Sequence, residues 1–334
     1  MNGSSPDVGI EGRSHVRKQE SAWVESPLQM LCAVEAHHRG LLGPSTLLVP
    51  RSGLRPLAAT RRELVRLGLP SGLELAKPRE SMPRGARAVG DAFSGKVQLR
   101  WLTSRPSRIV IVDDGLATIR LLELLAAGPA KPLLRARAEP SALRRALGLA
   151  AALRLRVDAK RVTIFTALPV PDKLAQAVRK AGFELINHDF GWLRSQPLAE
   201  PGPTERTVVL GTSLVRNGLV HRERYLRWLT ALAEEEPLAY FPHRREDPVD
   251  LALIRERPGI TVHDGGAPAE MTLRGLDAGQ RVISLPSTAI SSLRVLLEPR
   301  GVEVEPVDVP DDWWTSRAKP SLRDHLQMFS GATR

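Results

Sequence analysis

Short apolar runs alternate with amphipathic stretches along nearly the whole chain. A run of four or five Val, Ile and Leu residues between polar ones reads as a buried strand. Apolar residues three and four apart read as one face of a helix. On these patterns a strand includes Trp23-Val24 and a helix runs from 27 to about 38. Ser26 is its N-cap, Pro27 takes the first helical position and Gln29 lies three residues after the cap. Strands follow at 46–49, 73–75, 108–112, 161–165 and 183–187, with helices at 55–67, 116–127 and 172–180. Residues 86–93 read as helical, with 97–102 at the end of that helix. Residues 129–160, rich in Ala, Leu and Arg, read as an exposed helical insertion or a mobile segment.

Residues 196–203 hold three prolines and a glycine, which neither a helix nor a central strand continues through. This is the best linker in the chain. A second alternating set follows, with strands at 207–210, 238–241, 261–263, 281–285 and 302–307. Its helices are expected at 222–235, 248–255, 268–275 and 288–296. Alternation of this kind predicts parallel, doubly wound sheets. The expected organisation is α/β: a disordered leader over 1–20, a first Rossmann-like lobe over 21–195, a second Rossmann-like lobe over 204–310, and a tail helix within 311–334. The ligand would lie in the cleft between the lobes. The tail could cross back, with Trp313 and Trp314 packing between the lobes.

Composition narrows this picture. The 334 residues are 42% hydrophobic, enough for full cores, yet no apolar run reaches the roughly 20 residues that span a bilayer. The first twenty residues lack the apolar stretch of a secretory signal. The single cysteine, Cys32, excludes an internal disulfide framework and a multi-thiolate metal site, and its apolar helical setting marks it as core. A cytoplasmic protein is expected. The net charge of +11 raises nucleic acid as a partner. However, the arginines are spread over nearly every amphipathic segment, and 4% aromatics give little stacking surface. No nucleic-acid partner is therefore expected. The same charge suits an anionic sugar, a phosphorylated acceptor or the acidic inner face of a membrane, and with the Trp pair it permits peripheral membrane contact.

Three polar motifs sit at predicted strand ends, where open α/β sheets present ligand sites. In Ile109-Val110-Ile111-Val112-Asp113-Asp114-Gly115, adjacent carboxylates can raise one another's pKa toward neutrality and make one a general base. Gly115 permits a tight turn or a close ligand. The plainer reading is an Asp-Gly turn with an N-capping aspartate. In Tyr240-Phe241-Pro242-His243-Arg244-Arg245-Glu246, a histidine beside two arginines suits an anion such as a phosphate, against the alternative of a charged surface loop. Ser287 and Thr288 begin a helix, where hydroxyls and free amides bind phosphate as readily as they cap. Glu270, in the first turn of a helix, could accept from ribose hydroxyls or merely pair with the helix dipole. The Gly211-Thr212-Ser213 loop could approach a nucleotide closely. No GxGxxG, P-loop, HExxH or Cys/His zinc spacing is present, so no cofactor and no metal are expected.

Together the motifs resemble the bacterial sialyltransferases of the two-Rossmann, GT-B type, notably the polysialyltransferase and lipooligosaccharide sialyltransferase families. The resemblance rests on Ser26-Pro27-Leu28-Gln29, Gly90-Asp91-Ala92-Phe93-Ser94-Gly95, Asp113-Asp114-Gly115, Phe241-Pro242-His243-Arg244-Arg245-Glu246 and Ser287-Thr288. These occur in the family's order over roughly residues 22–310. It implies inverting, metal-independent transfer of sialic acid from a CMP-activated donor to a glycan acceptor. Asp114 or Asp113 would be the base, His243 would assist departure of the phosphate, and Ser287 and Thr288 would hold the donor phosphate. The family's His-Pro order is reversed here, as Pro242-His243 followed by Arg244. Arg244 then either adds a phosphate contact or signals another donor. The alternatives are a UDP- or GDP-dependent transferase or an epimerase and, further off, a basic nucleic-acid-binding protein.

Overall fold

The computed structural model describes residues 19–128, 131–135, 141–198, 202–263 and 266–327. The first half runs β1 (Glu20–Val24), α1 (Pro27–His38), β2 (Thr46–Pro50), α2 (Arg55–Leu67), β3 (Leu73–Leu75), β4 (Ala88–Val89), α3 (Gly95–Thr103), β5 (Ile109–Val112), α4 (Leu116–Ala126), α5 (Ala142–Val157), β6 (Val162–Thr166), α6 (Asp172–Lys180), β7 (Glu184–Asn187) and α7 (Gly191–Ser195). The second half runs β8 (Thr207–Leu210), α8 (Arg222–Glu235), β9 (Leu238–Phe241), α9 (Pro248–Arg255), β10 (Ile260–Val262), α10 (Ala269–Thr272), β11 (Arg281–Ser284), α11 (Thr288–Leu297), β12 (Glu303–Pro306) and α12 (Pro320–Gln327).

The strands form two wholly parallel sheets, ordered β3-β2-β1-β4-β5-β6-β7 and β10-β9-β8-β11-β12. In each, the strand order reverses beside the first strand, between β1 and β4 and between β8 and β11. Loops diverge at such a switch point and leave a crevice at the carboxyl ends. Register aligns those ends: Leu210 of β8 pairs with Phe241 of β9 and with Ser284 of β11, so the loops that follow leave the sheet at one level.

Helix α1 is buried nearly all round. Ten of its twelve residues are buried, because it lies between the two lobes. Its apolar side chains share one continuous cluster with Val208, Ala239, Met271, Leu273 and Ile290 of the second lobe. Glu35, fully buried in this helix, accepts from the backbone N–H groups of Trp192 and Leu193 at 2.9 Å each and so ties α7 to α1. Of the linker, residues 199–201 lie outside the described ones. Its flanks are held to the second lobe by Arg274 on the carbonyls of Gln196 and Pro197 and by Gln280 on that of Pro203.

Three expectations change. Residues 86–93 are not a helix: Ala88–Val89 is a short central strand, and the helix starts at Gly95. Ala88 and Val89 pair with both β1 and β5, and this long-range pairing outweighs the local apolar spacing. Within 129–160, α5 is neither an insertion standing free nor wholly exposed. Gly148, Ala151, Ala152 and Leu155 are buried against the first lobe, with α3 alongside. Trp313 and Trp314 do not pack between the lobes. Trp313 meets Trp228 of α8 edge-on, Trp314 is buried with Val220 and Leu226, and the strand-like bridge Val220–Trp314 holds the tail on the second lobe. The leader expected over 1–20 lies outside the described residues except for its last two, and Glu20 already opens β1. Among the described residues no helix is long and apolar enough to cross a membrane.

Candidate functional site

A cavity of about 660 Å³ opens between the carboxyl ends of the two sheets. Ser26, Asp114 and Gly115 line it from the first lobe. Gly211, His243, Glu246, Glu270, Ser287 and Thr288 line it from the second. Residues up to 262 positions apart in sequence thus meet only because both sheets turn their carboxyl ends to one cleft.

The two adjacent aspartates part company. Asp113 is 1% exposed, and its carboxylate is filled by four donors. One oxygen accepts from the Gly115 N–H (2.9 Å) and the Thr118 hydroxyl (2.8 Å). The other accepts from the Thr166 hydroxyl (2.6 Å) and the Ala167 N–H (3.1 Å). It joins β5 to β6 and does not line the cavity. Burial raises its pKa against the pull of those donors. Asp114 points to the cleft. Its pKa is pushed up to about 7, first by burial and then by the Asp91 charge, against the opposing effects of Gln29, Arg135 and Ser26. The Ser26 hydroxyl donates to Asp114 at 3.1 Å, while Arg135 bridges Asp91 (2.7 Å) and Asp114 (3.6 Å). Ser26 also caps α1, accepting from the Gln29 N–H. Gln29 is buried and does not line the cavity. Its side chain reaches Asp114 because Gly90 has no Cβ to block it. A carboxylate whose pKa is raised to near neutrality and that lines a cleft is suited to accept a proton from a hydroxyl.

On the opposite wall, the His243 ring accepts from the Arg245 N–H at its Nδ1 (3.1 Å), so the neutral ring carries its hydrogen on Nε2. Burial, then the charges of Arg244 and Arg245, push its pKa down to about 4. At neutral pH the ring is therefore a neutral donor. Glu246, which the motif contained but pattern reasoning left without a role, fixes this loop. It accepts from the His243 N–H (2.8 Å), from the Tyr240 hydroxyl and from the Thr212 N–H, and burial raises its pKa to about 7. Tyr240 in turn meets the Tyr225 hydroxyl at 3.0 Å. Gly211 makes room for this network: a Cβ there would lie 2.5 Å from Glu246 Oε2 and 2.6 Å from His243 N. The Thr212 hydroxyl accepts from the Leu214 N–H and, like Arg245, Thr212 lies off the cavity wall, whereas Arg244 is exposed and lines it.

Ser287 caps α11, accepting from the Ala289 N–H (3.3 Å), and Thr288 opens the helix. The Asp114-Gly115 loop touches this terminus directly. Gly115 has φ +69°, and a Cβ there would lie 2.9 Å from the Thr288 hydroxyl. Glu270, 3% exposed, is held by the Ser292 hydroxyl, and its pKa is raised by burial and by Asp113. Arg55 at the start of α2 and Arg255 at the end of α9 also line the cavity. Neither carried a motif, and nothing short of the fold placed them at the cleft. Among the described residues no three His, Cys, Asp or Glu side chains gather to hold a metal ion.

Two Rossmann-like lobes facing one another across a ligand-sized cleft define an α/β protein of the GT-B architecture. No protein-family model matches the chain, and no curated protein matches it. Among solved structures it is similar to a UDP-glucose:anthocyanidin 3-O-glucosyltransferase in complex with UDP, at 10% identity and a TM-score of 0.46, with 94% of each chain covered.

Proposed function

We propose that this chain is an inverting glycosyltransferase that moves a sugar from a nucleotide-activated donor to a hydroxyl of a glycan acceptor. The observation that carries this reading is the contact across the cleft. The Asp114-Gly115 loop, bearing a carboxylate with a pKa near 7, abuts the Ser287-Thr288 helix start, with His243 lining the same cavity. Asp114 takes the proton of the acceptor hydroxyl as its oxygen bonds to the anomeric carbon from the face opposite the leaving group. The bond from that carbon to the phosphate oxygen breaks, and the electron pair leaves with the phosphate. The phosphate is received by His243 Nε2–H, the hydroxyls of Ser287 and Thr288, and Arg244 at the rim. Glu270 lies where it could accept from ribose hydroxyls. No step requires a metal.

The motif resemblance supports CMP-sialic acid as the donor. Calorimetric titration of the purified chain with CMP, UDP, GDP and ADP tests this. Selective CMP binding, weakened by His243→Ala and by Ser287→Ala, is expected. Selective UDP or GDP binding would keep a two-lobed transferase and overturn the CMP donor. Binding of none of the four, with tight salt-sensitive binding of DNA or RNA, would overturn the transferase reading altogether.

A further inference from the structure

Helix α5 is apolar on two opposite faces. One face, Gly148, Ala151, Ala152 and Leu155, is buried against the first lobe. On the other side the helix leaves Leu143 (81% exposed), Leu149, Leu153 and Val157 (81% exposed) open to solvent. A surface helix ordinarily turns polar residues outward, so an apolar outer stripe is a face without its partner. The neighbouring α3 adds Leu99 and Leu102, one turn apart and exposed. The two helices are joined by Arg144 on Gln98 and the Phe93 carbonyl and by Arg154 on the Trp101 carbonyl. Six of the ten large apolar side chains exposed among the described residues lie on this pair of helices.

The charge around the stripe is one-sided. Residues 95–108 and 141–161 carry ten lysines and arginines and a single acid, Asp158, which is paired with Arg154. Lys96, Arg105, Arg145, Lys160 and Arg161 are exposed. Leucines able to enter the boundary between headgroups and acyl chains, ringed by cations that meet anionic headgroups, form the chemistry of an interfacial membrane-binding surface. A second copy of the chain fits poorly, since two such faces would bring like charges together.

We propose that the α3–α5 face docks this protein on an anionic phospholipid bilayer. The face is anchored to the first lobe: Arg144, next to Leu143, bonds the carbonyl of Phe93, whose own N–H is held by Asp91.

The test is co-sedimentation of the full chain with vesicles of phosphatidylcholine alone and of phosphatidylcholine with phosphatidylglycerol. The wild type is expected to sediment only with the anionic vesicles. The double variant Leu149→Ser/Leu153→Ser keeps every charge, and its partition is expected to fall at least about tenfold with its melting temperature unchanged. Arg145→Glu/Lys160→Glu is expected to weaken binding to the anionic vesicles at low salt and to flatten its dependence on salt, and a variant that binds like wild type would overturn the proposal. Failure of the wild type to bind anionic vesicles would overturn the proposal. So would a leucine variant that binds like wild type, because the attraction would then be unspecific charge. A concentration-dependent dimer in light scattering that Leu149→Ser/Leu153→Ser dissolves would assign the face to a second copy and overturn it as well.

Discussion

The adjacent aspartates allow a test in which neighbouring, chemically identical residues respond in opposite directions. In Asp113→Asn, one carboxylate oxygen becomes an NH2 group. The Thr118 and Thr166 hydroxyls can rotate, but the N–H groups of Gly115 and Ala167 cannot. Whichever way the amide turns, one buried N–H faces another N–H, at about 1–3 kcal/mol, and the remaining bonds lose their charge assistance. A total near 3 kcal/mol corresponds to a fall in Tm of about 4 °C for a chain of 334 residues. For Asp114 the sign reverses, because its partners, Ser26, Gln29 and Arg135, are side chains and no fixed backbone N–H faces its carboxylate. Its folded-state pKa is about 7 against an ordinary 3.8, so the folded protein holds this proton more tightly than the unfolded chain. The stability this group contributes is full below pH ~4 and is lost as pH rises through ~7. At pH 8 the ionised carboxylate is a burden with an upper bound of about 4 kcal/mol, and Asp114→Asn should recover about 1–2 kcal/mol of it, since the side chain reaches solvent at the cleft. Thermal melts at pH 5 and pH 8 read both effects. Asp114→Asn should melt higher than wild type at pH 8, by less at pH 5, and should bind nucleotide unchanged while its kcat falls about 100-fold or more. An Asp114→Asn protein that melts as low as Asp113→Asn, or an Asp113→Asn protein that melts like wild type, would refute this division of roles.

Asp91→Asn should move the acidic limb of the pH–rate profile downward. The Asp91 and Asp114 oxygens contact one Arg135 nitrogen at 2.7 and 3.6 Å and so lie within about 6 Å of each other. That is worth about 2–3 kcal/mol at an effective dielectric near 20, and after screening by Arg135 a shift of roughly one pH unit is expected; an unmoved limb would detach Asp114 from the rate. Gly211→Ala places a Cβ on Glu246 and the His243 backbone, and should lower nucleotide affinity in calorimetry at least about tenfold; wild-type affinity would mean the His243 loop plays no part in binding. Glu35→Ala leaves the buried N–H groups of Trp192 and Leu193 without acceptors, about 1–3 kcal/mol each, and should lower Tm by several degrees; an unchanged Tm would show that water replaces the carboxylate.

Much of this molecule is written locally. Strand and helix alternation, the Ser26 cap, the Pro27 start and the polar strand ends at Asp113, His243 and Ser287 follow from periodicity and capping rules that act over a few residues, and nearly every element of the second lobe lies where its pattern places it. Ala88–Val89 escaped because two residues carry no period and are a strand only through their neighbours β1 and β5. The Trp pair escaped because composition does not say which surface an aromatic meets. The difference between Asp113 and Asp114 is wholly tertiary: successive residues leaving a strand face opposite ways, and only the packed fold turns one toward Thr118 and Thr166 and the other toward Ser26 and the cleft. Arg55, Arg255 and Glu246 came to the site the same way. Sequence alone thus determines which chemical groups stand at strand ends, since that depends on short-range pattern. Which of them face one another, how deeply they are buried and therefore what charge they hold are decided by the meeting of two lobes, because desolvation and Coulomb coupling depend on distances that no local pattern contains.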